Sequence, residues 1–309
     1  MRVALLFIDG VGVGRADPGV NPLARERYLL SQFTDAPGTP LPPGGSYHPV
    51  DATFGVAGRP QSASNQTALL TARDAPALVG RHVLGFPDRA LRELLAAHSL
   101  VRQLTLHGRT ASFANAYPAA YLDALGIARR PADAPHLDLD ARMRRRLKAS
   151  ASTLAFHAAA VPLRTFTDAQ RGLGLTHDIT GQRARERGAD VPLRTETEAA
   201  ALFWRLSAEA DFLFFEHYLA DEAGHAQDFE AAREALGSFD RFLRVLVDTR
   251  PPDVVLLVCS DHGNVEDLTT RGHTLHAVPV LAFASGHALP MFSTVADVGR
   301  AVLHLLGVS

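Results

Sequence analysis

The sequence predicts an α/β protein: a three-layer sandwich with a mainly parallel central sheet, helices on both faces, and a small, mostly helical insert as a cap. Three short apolar runs, Val3–Ile8, Phe212–Phe215 and Val254–Val258, are typical of strands covered on both faces. Helical patterns separate these runs along the chain. Strands that alternate with helices form mainly parallel sheets, which gives the predicted fold class.

The other elements of the first half are predicted from local patterns. The Pro/Gly-rich stretch from Pro37 to Gly45 is interpreted as a loop. The predicted elements after the first strand are helices over Ser62–Thr71, Asp88–Leu106 and Pro118–Leu125, and a short strand over Thr110–Ala114.

In the second half, Thr195 and Glu198 have the spacing of a capping box, which predicts the start of a helix. The apolar run Val278–Phe283 predicts a further strand. A long amphipathic helix over Phe229–Val247 and a closing helix over Val295–Leu306 complete this half.

The composition changes between residues 127 and 194, where strand-like apolar runs are missing. Basic residues crowd the segment from Arg142 to Lys148, which is interpreted as a solvated helix face. We therefore predict a core formed by residues 1–126 and 195–309, and a small cap formed by residues 127–194.

The bulk composition excludes several classes of protein. A net charge of −2, from 31 basic and 33 acidic residues, argues against a general nucleic-acid binder. No apolar stretch reaches the roughly 20 residues that a membrane span requires. The single cysteine, Cys259, excludes an intramolecular disulfide and fits a reducing compartment, so we expect a cytoplasmic protein.

Side chains that can bind metals lie next to the predicted strands. They are Asp9 after the first strand, Asp221 and His225 after the Phe212 strand, Asp261 and His262 after the Val254 strand, and His273 before the Val278 strand. Because ligands bind at the carboxyl ends of parallel strands, we expect these side chains to converge at one edge of the sheet.

Three aspartates and three histidines in one place need a cation to offset their repulsion. A mixed Asp/His set suits Zn²⁺ or Mn²⁺, and six ligands suit two metals about 4 Å apart that clamp an in-line displacement. The candidate nucleophile is Ser62, because it precedes an apolar helical run and a helix start favours phosphate.

These residues resemble the alkaline phosphatase superfamily, in particular cofactor-independent phosphoglycerate mutase and phosphopentomutase. The resemblance rests on the strings SDHGNVED and GHTLHAVP, on the Asp-x-x-x-His pair, and on a first strand that ends in Asp-Gly. It implies two metal sites and a serine that carries the phosphoryl group. The implied ligands are Asp9, Ser62, Asp261 and His262 for one metal, and Asp221, His225 and His273 for the other.

The sequence departs from the mutases in two ways. Asn65 and Gln66 stand where the mutases have Gly-His after the nucleophile, which leaves Ser64 as an alternative nucleophile. The insert is smaller than the corresponding mutase domains, so water could resolve the phosphoserine and give a phosphatase instead of a mutase.

We therefore expect a phosphomonoesterase or phosphomutase that acts on a small phosphorylated substrate. The alternatives are a phosphodiesterase or nucleotide pyrophosphatase on the same core, and a non-catalytic metal-binding protein. The sequence does not decide the oligomeric state or between Mn²⁺ and Zn²⁺. Further candidates for substrate contacts are Asn65, Gln66, Arg81, His82, Asn115, His177 and His276.

Overall fold

A computed structural model describes residues 1–130, 147–284 and 286–308. The basic run from Arg142 therefore lies outside the described residues, apart from its last two positions. Among the described helices, none combines the length and the apolar character needed to cross a bilayer.

Six strands form the central sheet. Their bounds are Arg2–Ile8 (β1), Gly45–Val50 (β2), Ala111–Phe113 (β3), Phe212–His217 (β6), Val254–Cys259 (β7) and Val278–Phe283 (β8). Their order across the sheet is β2-β8-β7-β1-β6-β3. A separate parallel pair is formed by Ala116–Tyr117 (β4) and Arg164–Thr165 (β5).

The sheet is mainly parallel, as predicted. Strand β1 lies between β6 and β7 and is parallel to both, and β3 extends this parallel set beyond β6. Strand β8 runs antiparallel to β7, and β2 pairs antiparallel with β8 at the edge.

The helices lie on both sides of this sheet. Their bounds are Ser62–Thr71 (α1), Ala75–Val79 (α2), Arg89–His98 (α3), Leu100–Leu106 (α4), Ala119–Ala124 (α5), Ala151–His157 (α6), Phe166–Gln170 (α7), Gln182–Glu186 (α8), Glu196–Ser207 (α9), Leu219–Ala226 (α10), Phe229–Asp248 (α11) and Val295–Leu305 (α12), with a 3₁₀ turn at Pro22–Ala24. The capping box at Thr195 is present.

The core consists of two apolar layers, one on each face of the sheet. Alternate side chains of β1 enter different layers: Leu5 packs with α1, α4, α6 and α12, and Leu6 packs with α9 and α11. This alternation explains why the strands are continuous apolar runs. The three-layer prediction is thereby confirmed.

Two elements differ from the predictions. Strand β2 was not predicted, because GSYHPV has weak apolar character and contains Pro49; its first residue, Gly45, ends the stretch that was interpreted as a loop. An edge strand tolerates proline. The single helix expected over Asp88–Leu106 is two helices, since Ser99 leaves the helical conformation and caps α4 with its side chain.

The described residues of the predicted insert carry three helices of five to seven residues. Phe156 and Leu163 from this segment pack in the same apolar layer as Leu5 of β1. Its division from the core as a separate cap stays a prediction.

Candidate metal centre

The predicted ligands lie at the carboxyl edge of the parallel strands. Asp9 directly follows β1, α10 begins two residues after β6, and Asp261 lies two residues beyond β7. Because β8 runs antiparallel to β7, its first residue lies at this same edge, and His273 in the preceding loop reaches the site. The antiparallel direction of β8 thus explains how His273, which the sequence places in a loop before a strand, comes to the same edge as the other ligands.

The first set of ligand atoms surrounds Nε2 of His262. This nitrogen lies 2.9 Å from Oγ of Ser62, 3.3 Å from Oδ1 of Asp9 and 3.5 Å from Oδ2 of Asp261. Oδ1 of Asp9 is buried without a hydrogen-bond partner. Buried charge without a partner is costly, so the set fits a divalent cation at its centre.

Burial shifts the pKa values of this set. Burial raises the pKa of Asp9 well above its ordinary value, and the neighbouring Asp261 and Asp221 carboxylates add to the shift. Burial and Asp221 raise the pKa of Asp261 to about 7. Burial lowers the pKa of His262 to about 3, so its imidazole is neutral near pH 7 and can bind a metal.

The second set contains Asp221, His225 and His273. Nε2 of His225 lies 3.3 Å from Oδ2 of Asp221 and 3.3 Å from Nε2 of His273. Asp221 and His225 occupy positions i and i+4 of α10, which places them on one face of the helix.

The hydrogen bonds of the two histidines fix their tautomers when the rings are neutral. Nδ1 of His225 donates to the carbonyl oxygen of Arg271 over 2.6 Å, and Nδ1 of His273 donates to that of Pro60 over 2.8 Å. Both Nε2 atoms then direct lone pairs at each other, an arrangement that only a shared proton or a cation relieves. Two nitrogens bound tetrahedrally to one Zn²⁺ lie about 3.4 Å apart, which matches their separation.

The pKa values of His225 and Asp221 in this set are strongly shifted as well. The hydrogen bond to Asp221 raises the pKa of His225 to about 9. For Asp221, burial favours a higher pKa, but the hydrogen bond from His225 and the charge of His262 outweigh it and lower the pKa to about 2.

The two sets adjoin each other. The rings of His262 and His273 stack with their centroids 3.6 Å apart. Ligand atoms of Asp221, His262 and His273 lie within 4.8 Å of one another, and so do those of Asp9, Asp261 and His262. By distance His262 therefore belongs to both sets, whereas the resemblance assigns it to the nucleophile's set alone.

Asn65 and Gln66 organise this centre from α1. The side-chain amide of Asn65 donates to the carbonyl oxygens of Ala52 and Asp261, and thereby ties the helix to the end of β7. Nε2 of Gln66 donates to Oδ2 of Asp9 over 3.2 Å and to Oδ2 of Asp261 over 3.1 Å. Both residues thus contact the centre itself.

The two candidate serines have different surroundings. Ser62 is the first residue of α1 and its hydroxyl faces the first set. The hydroxyl of Ser64 donates to the carbonyl oxygen of Gln61 and accepts from the backbone N–H of Val83, each over 3.1 Å. The geometry therefore favours Ser62 as the nucleophile.

Two residues of the centre were missed at the sequence level. Nδ2 of Asn264 donates to Oδ1 of Asp221 over 2.6 Å. Buried Glu266 accepts from the backbone N–H groups of Gly12 and Asn264 and from Thr274. Both lie in the string SDHGNVED, so their proximity to Asp261 was the available signal.

The remaining candidates contact other groups. Arg81 pairs with Asp88, and the amide of Asn115 bonds to the backbone of Glu216. His82 lies against Gly58 in the loop before Ser62. The ring of His177 stacks on Tyr218 at 4.1 Å, and Nδ1 of His276 donates to Oε1 of Glu266 over 3.0 Å. As substrate contacts they stay predictions.

The family comparison agrees with this centre. Residues 193–309 match the family model of the Metalloenzyme superfamily, which covers Asp221, His225, Asp261, His262 and His273. The match spans 117 of the 309 residues, and over this part the chain is similar to that superfamily. The resemblance to alkaline phosphatase-like metalloenzymes is confirmed.

Two curated relatives are phosphopentomutases. That of Deinococcus radiodurans is 32% identical over 162 residues, which are 47% of this chain and 40% of the relative. That of Helicobacter acinonychis is 31% identical over 102 residues, which are 32% of this chain and 24% of the relative. The chain thus matches less than half the length of either protein.

Solved structures show the same fold. The PH0037 protein from Pyrococcus horikoshii superimposes with a TM-score of 0.52 at 14% identity, over 100% of this chain and 97% of that protein. The alkaline phosphatase of Thermus thermophilus also gives 0.52, at 10% identity, over 100% and 92%.

Proposed function

We propose that this protein transfers the phosphoryl group of a small phosphate monoester to Ser62, and from there to water or to an acceptor hydroxyl. The observation that carries the proposal is the position of the Ser62 hydroxyl, 2.9 Å from Nε2 of His262 and beside two buried carboxylates. The phosphopentomutase relatives support the same chemistry.

Two divalent metal ions, Mn²⁺ or Zn²⁺, would lower the pKa of the serine hydroxyl and neutralise charge on the phosphoryl oxygens. Asp9, Asp261 and His262 would hold one ion beside Ser62, and Asp221, His225 and His273 would hold the other. The donor types and the lone-pair geometry described above fit this assignment.

Ser62 and the first turn of α1 would carry out the transfer. Oγ of Ser62 gives up its proton to water and attacks phosphorus, while the bond from phosphorus to the leaving oxygen breaks and that oxygen takes up a proton from water. The side chain of Gln61 makes no capping hydrogen bond, so the N–H groups of the first turn of α1 are available to phosphoryl oxygens. Water or an acceptor hydroxyl then attacks phosphorus, the bond from phosphorus to Oγ breaks, and Oγ regains a proton as the attacking oxygen loses one.

The Ser62→Ala variant tests this proposal. We expect turnover of p-nitrophenyl phosphate with added Mn²⁺ or Zn²⁺ to fall by at least about 10³-fold, because the covalent step is lost. Ser64→Ala is the matched control and should retain turnover. A Ser62→Ala variant that turns over at the wild-type rate would exclude the serine mechanism.

Further assays separate the alternatives. Faster hydrolysis of bis-p-nitrophenyl phosphate than of the monoester would favour a phosphodiesterase. A screen of phosphorylated metabolites, read out as released phosphate or as an isomerised product, would distinguish a phosphatase from a mutase. Stoichiometric metal binding without any turnover would favour a non-catalytic protein.

A further inference from the structure

Arg59 is an exposed cation at the rim of the metal centre. It lies three residues before Ser62, and Nη1 of its guanidinium lies 2.6 Å from the point where a β-carbon on Gly272 would be. Gly272 thus leaves room for the guanidinium against the backbone. Among the residues that the structure describes, no carboxylate forms an ion pair with Arg59.

The backbone around Arg59 holds two metal ligands. The carbonyl oxygen of Pro60, the next residue, accepts from His273, and that of Arg271 accepts from His225. The guanidinium therefore lies next to the segment that carries the second set of ligands. The hydrogen bonds from the two histidines hold the backbone next to Arg59 and next to Gly272.

This position is on the leaving-group side of the reaction. Ser62 attacks from the first set, and an in-line displacement puts the leaving oxygen on the opposite side of phosphorus. That side faces Asp221, His225 and His273. A group attached to the leaving oxygen therefore extends towards the rim where Arg59 lies.

We infer that Arg59 is a specificity-determining residue that binds a second anionic group, a carboxylate or a phosphate, on the alcohol part of the substrate. The inference rests on the proposed function. A guanidinium without a partner offers a planar set of donors that matches both anions. Because the residue is exposed, the contact should weaken as the ionic strength rises.

Two matched pairs of ligands test the inference. Turnover is compared between 2-carboxyphenyl phosphate and phenyl phosphate, which differ by one carboxylate. Binding is compared by calorimetry between phosphonoacetate and methylphosphonate, which need no turnover. We expect the wild type to prefer the carboxylate-bearing member of each pair.

The variants isolate the guanidinium. Arg59→Ala should reduce both preferences about tenfold, mainly through KM, and leave phenyl phosphate turnover near the wild-type value. Arg59→Lys should restore part of the preference. Arg89→Ala removes another exposed arginine, on α3, and should change neither preference.

The outcomes distinguish the role of Arg59 from the proposed function. A wild type without any preference, or an Arg59→Ala variant that keeps it, would overturn the role of Arg59. If neither ester is turned over but the calorimetric preference depends on Arg59, anion recognition stands and the proposed function fails.

Discussion

Gln66 connects the two carboxylates of the first set through a single amide group. Its NH₂ donates to both Asp9 and Asp261, whose pKa values are raised by burial and by neighbouring carboxylates, Asp221 among them. The hydrogen bond from the amide opposes this rise for Asp261 and stabilises its ionised form. A neutral donor also leaves the total charge available to a bound metal unchanged.

Gln66→Ala should destabilise the metal-free protein by about 2 kcal/mol, because two hydrogen bonds to buried acceptors are lost. The loss should be smaller with Mn²⁺ or Zn²⁺ bound, since the cation then satisfies the same oxygens. Urea unfolding with and without a chelator measures both values. Thr67→Ala, which removes a hydroxyl bond within the same helix, is the control, and its effect should not depend on metal. Equal losses for Gln66→Ala with and without metal would contradict this role.

Helix α10 carries two of the three residues of the second set and packs closely against Asn264 at Gly224. Gly224 approaches Asn264 so closely that a β-carbon would lie 2.6 Å from Cγ of that side chain. Asn264 in turn donates to Asp221. A larger residue at position 224 must therefore disturb the helix or the hydrogen bond that orients a ligand.

Gly224→Ala should weaken the second metal equivalent by about 10- to 100-fold, the usual effect of losing a partner that orients a ligand. Calorimetric titration with Zn²⁺ resolves the two equivalents. Gly237→Ala in α11 is the matched control at another helical glycine, because the added β-carbon would meet only the flexible tip of Arg241. It should leave metal binding unchanged. Unaltered affinity in Gly224→Ala would show that the close packing has no part in metal binding.

Some elements of the fold could be predicted from the sequence and others could not. The buried strands were predictable because continuous apolar runs such as β1 and β7 have few alternatives. The ligands were predictable because strand ends converge. The direction of β8 was not predictable, because a six-residue apolar run has the same pattern in both directions. The roles of Arg59 and Asn264 depend on tertiary contacts, which no local pattern encodes.

At the scale of the whole molecule, the metal centre couples stability to pH. The folded protein raises the pKa of His225 from its ordinary value to about 9, so below pH 6.5 the ion pair with Asp221 contributes its full stability. That stability is lost as the pH rises through 9. A divalent cation competes with the same proton.

We expect the melting temperature of the metal-free protein to fall between pH 6.5 and 9, and His225→Gln to show a smaller fall. Metal binding to the second set should release a proton and tighten over the same interval, because His225 must lose its proton to bind. Thermal unfolding and calorimetry in buffers of different ionisation enthalpy measure these effects. Affinity that does not change with pH would contradict the protonated state of His225.

The antiparallel strand β8 has a consequence for the time at which the centre forms. It brings His273 to a site that begins with Asp9, so the ligands come from nearly opposite ends of the chain. During synthesis, β1 must wait for β6 and β7, more than 200 residues later, before it gains neighbours on either side. A ribosome-bound chain therefore exposes Asp9 long before the other ligands exist, and the full centre can take up metal only once β8 has emerged and paired.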